Sequence, residues 1–597
     1  MKVNDKEIIL KKGLWSGHAA ASAEGLLAMY EVFKSSGRID AMNCNGYTGV
    51  THPHWDSDVA KWIEAVAFYL LHEKSDDLYS KARQIIEVME SNQLDDGYYN
   101  SYYQTHDLSK RFTDRTAHEL YCLGHHIEAA VAWHRATGEN NLLAFCDRYI
   151  DLVYSVFYAN ERNNLFKTPG HEEIELALIK LYRYTGIEKY LTLAEYFILT
   201  RGRFQENGAS HRYDEQYNQS HAPLEDQRTA EGHAVRANYI YTAMADYALI
   251  KGHEGIKKAC KAIFEDTIYK KMHIHGGVGT SSFGECYTVA YDLPPTTAYA
   301  ETCASIGLMR FCKSYFALTS DFRALAVIER IANNILLASV SKDGKKYFYC
   351  NPLAVNKDIS EYYSKIAWYY TSSKQGPTFP DVERKALQSC SCCPPNVART
   401  LGSFEEFVYC DYDGKVMIAL LTPSECKYAD GEVEVSGDGD KYAIKVSGKP
   451  VYLRIPTWSK TTLVDGRRVT DSAVLLDDGE HTVELELTIT KCYTGGKVAV
   501  LSGKQAFFYG PTLLCAEGRD NDGKPFNLIP SDKLIRKEKS EIGDVFVVKG
   551  LRREPIKELY SDEKPELVDC EIKLIPYRDW ANRGKDDMTV WFDDAQE

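Results

Sequence analysis

No stretch of this chain has the uninterrupted apolar length that a membrane helix requires, so nothing in the sequence spans a bilayer as a helix. Positive charge is in deficit. Lys and Arg number 71 against 85 Asp and Glu, and the formal net charge of −14 disfavours nucleic acid and anionic membrane surfaces as partners. A signal-peptide pattern is missing as well: Met1-Lys2-Val3-Asn4-Asp5-Lys6-Glu7 carries charge and no apolar run, so the expected location is cytoplasmic. The sixteen cysteines keep no regular spacing, and in an unexported chain they read as reduced thiols, not a disulfide framework. There is no low-complexity tract and no repeat beyond a helix-pair rhythm. The run Gly276-Gly277-Val278-Gly279 lacks the preceding strand and following helix of a nucleotide loop, which sets phosphate binding aside.

What is present points to a large, helix-first globular protein. At 597 residues the chain exceeds a single core and should divide into two to four domains. Its 41 tyrosines, 22 phenylalanines and eight tryptophans suit sugar-stacking clefts as well as large cores. Twelve amphipathic patterns run from His18 to Cys410, among them Asp114 to Thr137, Arg228 to Lys251, Thr296 to Ala317 and Pro394 to Cys410. Short turns such as Thr137-Gly138-Glu139-Asn140 join neighbours, whereas the loops after them are longer and bear histidines or aromatics. Paired helices with functional loops at one end predict an (α/α)6 barrel.

After about Tyr409 the pattern shifts to period 2, with β-rich runs from Lys415 to Leu421 through Cys570 to Pro576. The predicted architecture is therefore multidomain α+β: an (α/α)6 barrel over 1–409, a β-sandwich over 410–518, and a second, smaller β module over 519–597 beyond the polar segment Gly518 to Pro525.

The chemistry centres on Ser389-Cys390-Ser391-Cys392-Cys393-Pro394-Pro395-Asn396. Proline is tolerated in the first turn of a helix, so a helix should begin there with Cys392 and Cys393 at its amino end. That position lowers a thiol's pKa and makes it a better ligand and nucleophile. A second stretch, Glu301-Thr302-Cys303, supplies a carboxylate and a thiol, completing four donors of a kind that zinc accepts. Residues two apart diverge on a regular helix, so Glu301 and Cys303 can share an ion only at an irregular helix start. Buried structural thiols and a surface glutamate explain the same residues, and both readings stay open from spacing alone. His118, His171 and His233 each stand at a helix start or beside glycine, Asp56 or Asp58 offers a helix cap, and Gly284-Glu285-Cys286 places a carboxylate ahead of the Glu301 segment.

Together, His54-Trp55-Asp56-Ser57-Asp58-Val59-Ala60-Lys61-Trp62-Ile63-Glu64, Gly170-His171-Glu172-Glu173, Gly232-His233-Ala234-Val235-Arg236, Phe283-Gly284-Glu285, Glu301-Thr302-Cys303-Ala304-Ser305 and Cys392-Cys393-Pro394-Pro395-Asn396 resemble glycoside hydrolase family 127, the β-L-arabinofuranosidase family. The segments Leu453 to Trp458 and Phe508 to Pro511 resemble its β-sandwich parts. This resemblance implies a zinc ion held by Glu301, Cys303, Cys392 and Cys393, with Cys392 as nucleophile and Glu285 as general acid/base. It further implies that His118, His171, His233 and Tyr349 contact the sugar. The expected activity is retaining exo-hydrolysis of β-L-arabinofuranosides, and a homodimer through a β-sandwich domain stays open. For the acid role Glu285 should have a raised pKa. Two other classes compete: a sugar 2-epimerase working through His171 and His233, and a non-catalytic carbohydrate-binding protein.

Overall fold

The computed structural model describes residues 6–160, 165–204, 215–370, 382–388 and 390–594. Among the described residues, twelve helices build the barrel, apart from the short Ser101–Thr105 and the later Lys357–Tyr370: α1 (Leu14–Ser35), α2 (Trp55–His72), α3 (Asp76–Asn92), α4 (Glu119–Thr137), α5 (Asn141–Val153), α6 (Ile174–Thr185), α7 (Glu188–Thr200), α8 (Ala234–Lys251), α9 (Glu254–Asp266), α10 (Thr302–Thr319), α11 (Phe322–Ile331) and α12 (Cys393–Gly402). The sequence separates them into two rings. In α2, α4 and α8, every residue is buried over Asp56–Phe68, Glu119–Trp133 and Ala234–Ala248, and a helix covered on all sides belongs inside. By contrast α9 buries one stripe, Ile256, Ala259, Cys260, Ile263 and Phe264, at the spacing of a single helix face.

The inner ring closes on itself: α2 packs on α4, α4 on α6, α6 on α8, α8 on α10, α10 on α12, and α12 returns to α2. Outside them lie α3, α5, α7, α9 and α11, each packed on the inner helix before it, while α1 packs on α12. The first helix thus supplies the outer partner for the last. This is the expected (α/α)6 barrel. At one end the inner helices stop in tight turns, with Gly138 and Gly252 in the left-handed region and Ser320 at φ 56° in the same role. All the long loops therefore gather at the other end, where the inner helices begin.

A charged network fills the barrel interior. Arg399 of α12 is buried and its Nη1 lies 2.7 Å from Glu64 and 2.5 Å from Glu128, while Lys180 lies 3.2 and 3.0 Å from the same two carboxylates. Removing one member of a buried network strands the opposite charge. Arg399→Met is expected to cost about 3–5 kcal/mol in denaturant unfolding, and a loss near zero would show that Lys180 alone neutralises both glutamates.

Three corrections apply to the predicted boundaries. The last predicted helix, Pro394 to Cys410, stops at Gly402 with one further turn at Glu405–Val408, and Tyr409–Tyr412 is already a strand. The first residues do not belong to the barrel alone: Glu7–Leu10 pairs with Ser424–Tyr428 at the edge of a seven-stranded sheet, Ile8 opposite Cys426. That sheet and a four-stranded one contain the strands from Tyr409 to Leu485. The polar segment at 518–525 divides nothing. Thr512–Glu517 before it and Leu528–Ser540 after it lie in one sheet, connected through Leu567–Pro576 and Gly543–Arg553, so the β region divides between Leu485 and Ile489. That last sheet also hydrogen-bonds the barrel part, with Met588 opposite Val355. No helix among the described residues is long and apolar enough to cross a membrane, and the cysteines are free thiols.

Candidate active site

Each inner helix opens at the loop-bearing end, and the N-cap residues there are His54 for α2, His118 for α4, Glu173 for α6, His233 for α8, Glu301 for α10 and Cys392 for α12. Six helix amino ends thus surround one space, and their dipoles and free N–H groups favour negative charge within it.

Glu301, Cys303, Cys392 and Cys393 meet there. One donor atom from each lies within 4.8 Å of all the others. The sulfur separations are 3.4 Å for Cys303 and Cys393, 3.7 Å for Cys303 and Cys392, and 3.8 Å for Cys392 and Cys393. Glu301 Oε1 stands 3.6 Å from Cys392 Sγ and 3.7 Å from Cys393 Sγ, and its other oxygen is buried with no partner. The spacing difficulty is met by the backbone: Ala300 takes φ 39°, Glu301 is extended, and Cys303 is the second helical residue. Without a cation the four acids oppose one another. Burial and then the Cys392 charge push Glu301 up; burial and the neighbouring thiols push Cys393 up; burial works against Cys303 too, but thiol hydrogen bonds bring it down to about 6.

Glu285 lies beside this cluster on a turn in which Gly284 and Glu285 are both left-handed, at φ 65° and 56°. A strained turn of this kind persists where the surroundings fix it; here Cys286 is bridged through its backbone to His233, and Glu301 to Cys350. The Glu285 carboxylate accepts from Tyr299 at 2.6 Å and Tyr349 at 2.9 Å, and its Oε2 is 3.0 Å from His233 Nε2. The Tyr349 hydroxyl is also 3.7 Å from Cys392 Sγ. One phenol therefore touches both the carboxylate and the thiol. Burial works to raise the Glu285 carboxyl, but the His233 contact and the two tyrosines outweigh it and hold it down at about 2. This reverses the raised value expected from the sequence, because three polar contacts converge on one carboxylate.

Histidines line the remaining wall. Ring centroids run 5.9 Å from His54 to His118, 5.4 Å to His171 and 5.6 Å on to His233. Burial, followed by the Arg236 charge, holds His118 and His171 well below the ordinary imidazole value; burial lowers His233 against the pull of Glu285. Neutral imidazoles offer one donor and one acceptor each, which suits sugar hydroxyls. His171 rides on a turn fixed by buried Arg201, which binds Glu172, Glu175 and the Pro169 carbonyl.

All nine sequence-predicted residues, Cys392, Glu285, Glu301, Cys303, Cys393, His118, His171, His233 and Tyr349, thus stand around one end of the barrel. Tyr299, His54, Tyr121 and Lys61 also stand there and are not among the predicted site residues. Tyr121 packs on His171 with centroids 4.1 Å apart, and Lys61 is buried beneath Cys392. His54 and Lys61 do lie inside the His54–Glu64 motif; nothing in the sequence signals that the Tyr299 hydroxyl reaches Glu285, because the turn at Ala300 directs it there. Neither Asp56 nor Asp58 caps α2: Asp56 accepts from the Ser101 N–H and hydroxyl, and Asp58 pairs with Arg38. Another acid group, His125, Glu128 and Glu173, lies in the barrel core, where Arg399, Lys180 and Arg310 already supply the positive charge.

The family model for the β-L-arabinofuranosidase GH127 catalytic domain matches residues 14–406, and that for the glycoside hydrolase family 127 C-terminal domain matches residues 490–593. The chain belongs to glycoside hydrolase family 127. A GH127 β-L-arabinofuranosidase from Geobacillus stearothermophilus T6 has a solved structure that is 32% identical, with a TM-score of 0.91 over 98% of this chain and 100% of that one. The solved structure of another GH127 β-arabinofuranosidase is 27% identical, with a TM-score of 0.86 over 99% and 97% of the two chains. The non-reducing end β-L-arabinofuranosidase of Bifidobacterium longum subsp. longum is 30% identical over 90% of this chain and 88% of its own. As a member of GH127 this chain is a glycoside hydrolase acting on carbohydrate, which replaces the epimerase and pure-binding alternatives.

Proposed function

We propose that this chain is a retaining, exo-acting β-L-arabinofuranosidase in which Cys392 is the nucleophile, Glu285 the acid/base, and Glu301, Cys303, Cys392 and Cys393 a zinc site. The observation that carries this reading is the Tyr349 hydroxyl shared between Glu285 and Cys392, at the end of the barrel where the four donors meet. A retaining enzyme requires a nucleophile and an acid/base on either side of the anomeric carbon, and here a thiol takes the place of one of the usual two carboxylates.

The donor set fits a tetrahedral zinc ion. Zinc–sulfur bonds of about 2.3 Å place two sulfurs about 3.8 Å apart, and the three separations here are 3.4, 3.7 and 3.8 Å. Glu301, Cys303, Cys392 and Cys393 would hold the ion, which when bound would supply positive charge that keeps the Cys392 thiol ionised and makes its sulfur a better leaving group. One zinc per chain is expected from metal analysis of reduced protein. A chain lacking both Cys303 and Cys393 should lose the metal and melt earlier, because site binding is coupled to folding; full zinc occupancy in that double variant would sink the assignment.

In the first step Cys392 Sγ bonds the anomeric carbon as the glycosidic C–O bond breaks, and Glu285 gives its proton to the leaving oxygen. In the second, Glu285 takes a proton from water, the water oxygen bonds the anomeric carbon, and the C–S bond breaks. Glu285 must first be protonated, which the free site opposes. Engaging the Tyr299 and Tyr349 hydroxyls with a bound sugar would remove two of the contacts that hold the Glu285 carboxyl down and leave the larger one, to His233. The substrate class is tested with a panel of aryl glycosides: β-L-arabinofuranoside should be cleaved far faster than the α-L-arabinofuranoside or pyranosides, and preference for any other sugar would overturn the assignment.

A further inference from the structure

Lys61 of α2 is a lysine enclosed in the barrel, with no exposed side chain. Enclosing an ammonium is costly unless negative charge and hydrogen-bond acceptors surround it. Its neighbouring carboxylate, Asp58, lies 4.0 Å away and is already bound through its other oxygen to buried Arg38 at 3.1 Å. That pair is nearly neutral by itself. The remaining partners of the ammonium are the Tyr121 hydroxyl at 3.3 Å and the carbonyl oxygen of Cys392 at 3.4 Å. The negative groups acting on it after Asp58 are Cys392 and Cys303. Tyr121 in turn packs on His171, so this lysine sits where the cysteine cluster meets the histidine wall.

Three thiolates and a carboxylate around a divalent ion carry two excess negative charges, and a fixed cation at their edge stabilises that state. A hydrogen bond to the N-cap carbonyl of α12 also fixes the backbone from which the thiol projects. Resting on the reading of Cys392 as nucleophile in a metal-holding cluster, we propose that Lys61 is a positioning residue: its ammonium anchors the Cys392 carbonyl and balances the charge of the four-donor cluster.

The test uses full-length protein with Lys61→Met and Lys61→Arg. Met fills the space without leaving a lone carboxylate, since Asp58 keeps Arg38, and Arg keeps the charge. Zinc affinity is measured by competition with a chromophoric chelator, and the thiolate-to-metal bands are read after cobalt substitution. For Lys61→Met, zinc affinity should fall about 10- to 100-fold, the range for losing a partner behind a metal ligand. Its cobalt bands should shift, and kcat should fall while KM hardly changes; Lys61→Arg should recover most of the affinity. A merely structural lysine would alter melting temperature without these signatures. Wild-type zinc affinity, cobalt bands and kcat in Lys61→Met would overturn the proposal, as would an arginine variant no better than methionine. If the methionine variant does not fold, Lys61→Gln takes its place: weakened zinc affinity with shifted cobalt bands supports the proposal, and wild-type values overturn it. Wild-type protein that binds no zinc would sink the underlying reading and this proposal together, whereas unchanged affinity in the variants beside a zinc-bearing, active wild type sinks the proposal alone.

Discussion

Cys392→Ser is expected to lower kcat by roughly 10⁴-fold or more, the scale seen when a covalent nucleophile is removed. An alcohol ionises far less readily than a thiol and is a poorer zinc ligand, so the same substitution weakens both attack and metal binding. Cys392 is partly exposed at the amino end of α12, with its sulfur 3.7 Å from the Tyr349 hydroxyl, so a sugar in the barrel mouth can reach it. A mechanism-based epoxide or haloacetamide sugar should label this residue, as read by peptide mass mapping. A label on Glu301 or Glu285 would transfer the nucleophile's role to a carboxylate.

The second large effect is expected at Glu285. Glutamine keeps the shape and can still accept from Tyr299 and Tyr349, but it has no proton to give. For a substrate with a poor leaving group, kcat/KM should fall by about 10²–10⁴-fold, the usual worth of a positioned acid. An activated aryl glycoside needs little protonation, so it should form the Cys392 intermediate in a burst and then stall for want of a base. Equal losses on both substrates, with no burst, would count against the acid/base role and point to a binding role for this carboxylate.

The barrel was legible because its signals are local. Outer helices such as α9 carry one apolar stripe, inner helices carry long buried runs, and the short turns at one end are marked by residues such as Gly138 and Gly252. Where the helical pattern extends too far, the excess falls on the site: the periodicity of Asp114–His118, Arg228–His233 and Thr296–Glu301 predicts helix, yet these residues form the loops ahead of α4, α8 and α10. Alanine, arginine and glutamate in those loops suit a helix, but His118 at φ 64° and Ala300 at φ 39° cannot continue one. Tertiary contacts override propensity there, and the chain uses the departure to aim side chains into the mouth.

Two other features were out of reach for different reasons. The pairing of Glu7–Leu10 with Ser424–Tyr428 joins residues more than 400 positions apart, and the three apolar residues Ile8-Ile9-Leu10 do not name their partner. The low pKa of Glu285 follows from three contacts that converge from α8, the Ala300 turn and the Tyr349 segment, none adjacent to it in sequence. By contrast, the start of α12 was marked locally, since proline is tolerated in a helix's first turn and Val397, Ala398 and Leu401 follow at helical spacing, and the structure begins α12 at Cys393.

A sugar that passes through a bond to Cys392 undergoes two displacements at the anomeric carbon, which restore its configuration. The most direct measurement is the anomer formed first when a β-L-arabinofuranoside is cleaved in the presence of methanol, followed by NMR so that a methyl glycoside records the stereochemistry before mutarotation. Two displacements give methyl β-L-arabinofuranoside; the α anomer would mean a single displacement and would contradict a sugar bound to Cys392.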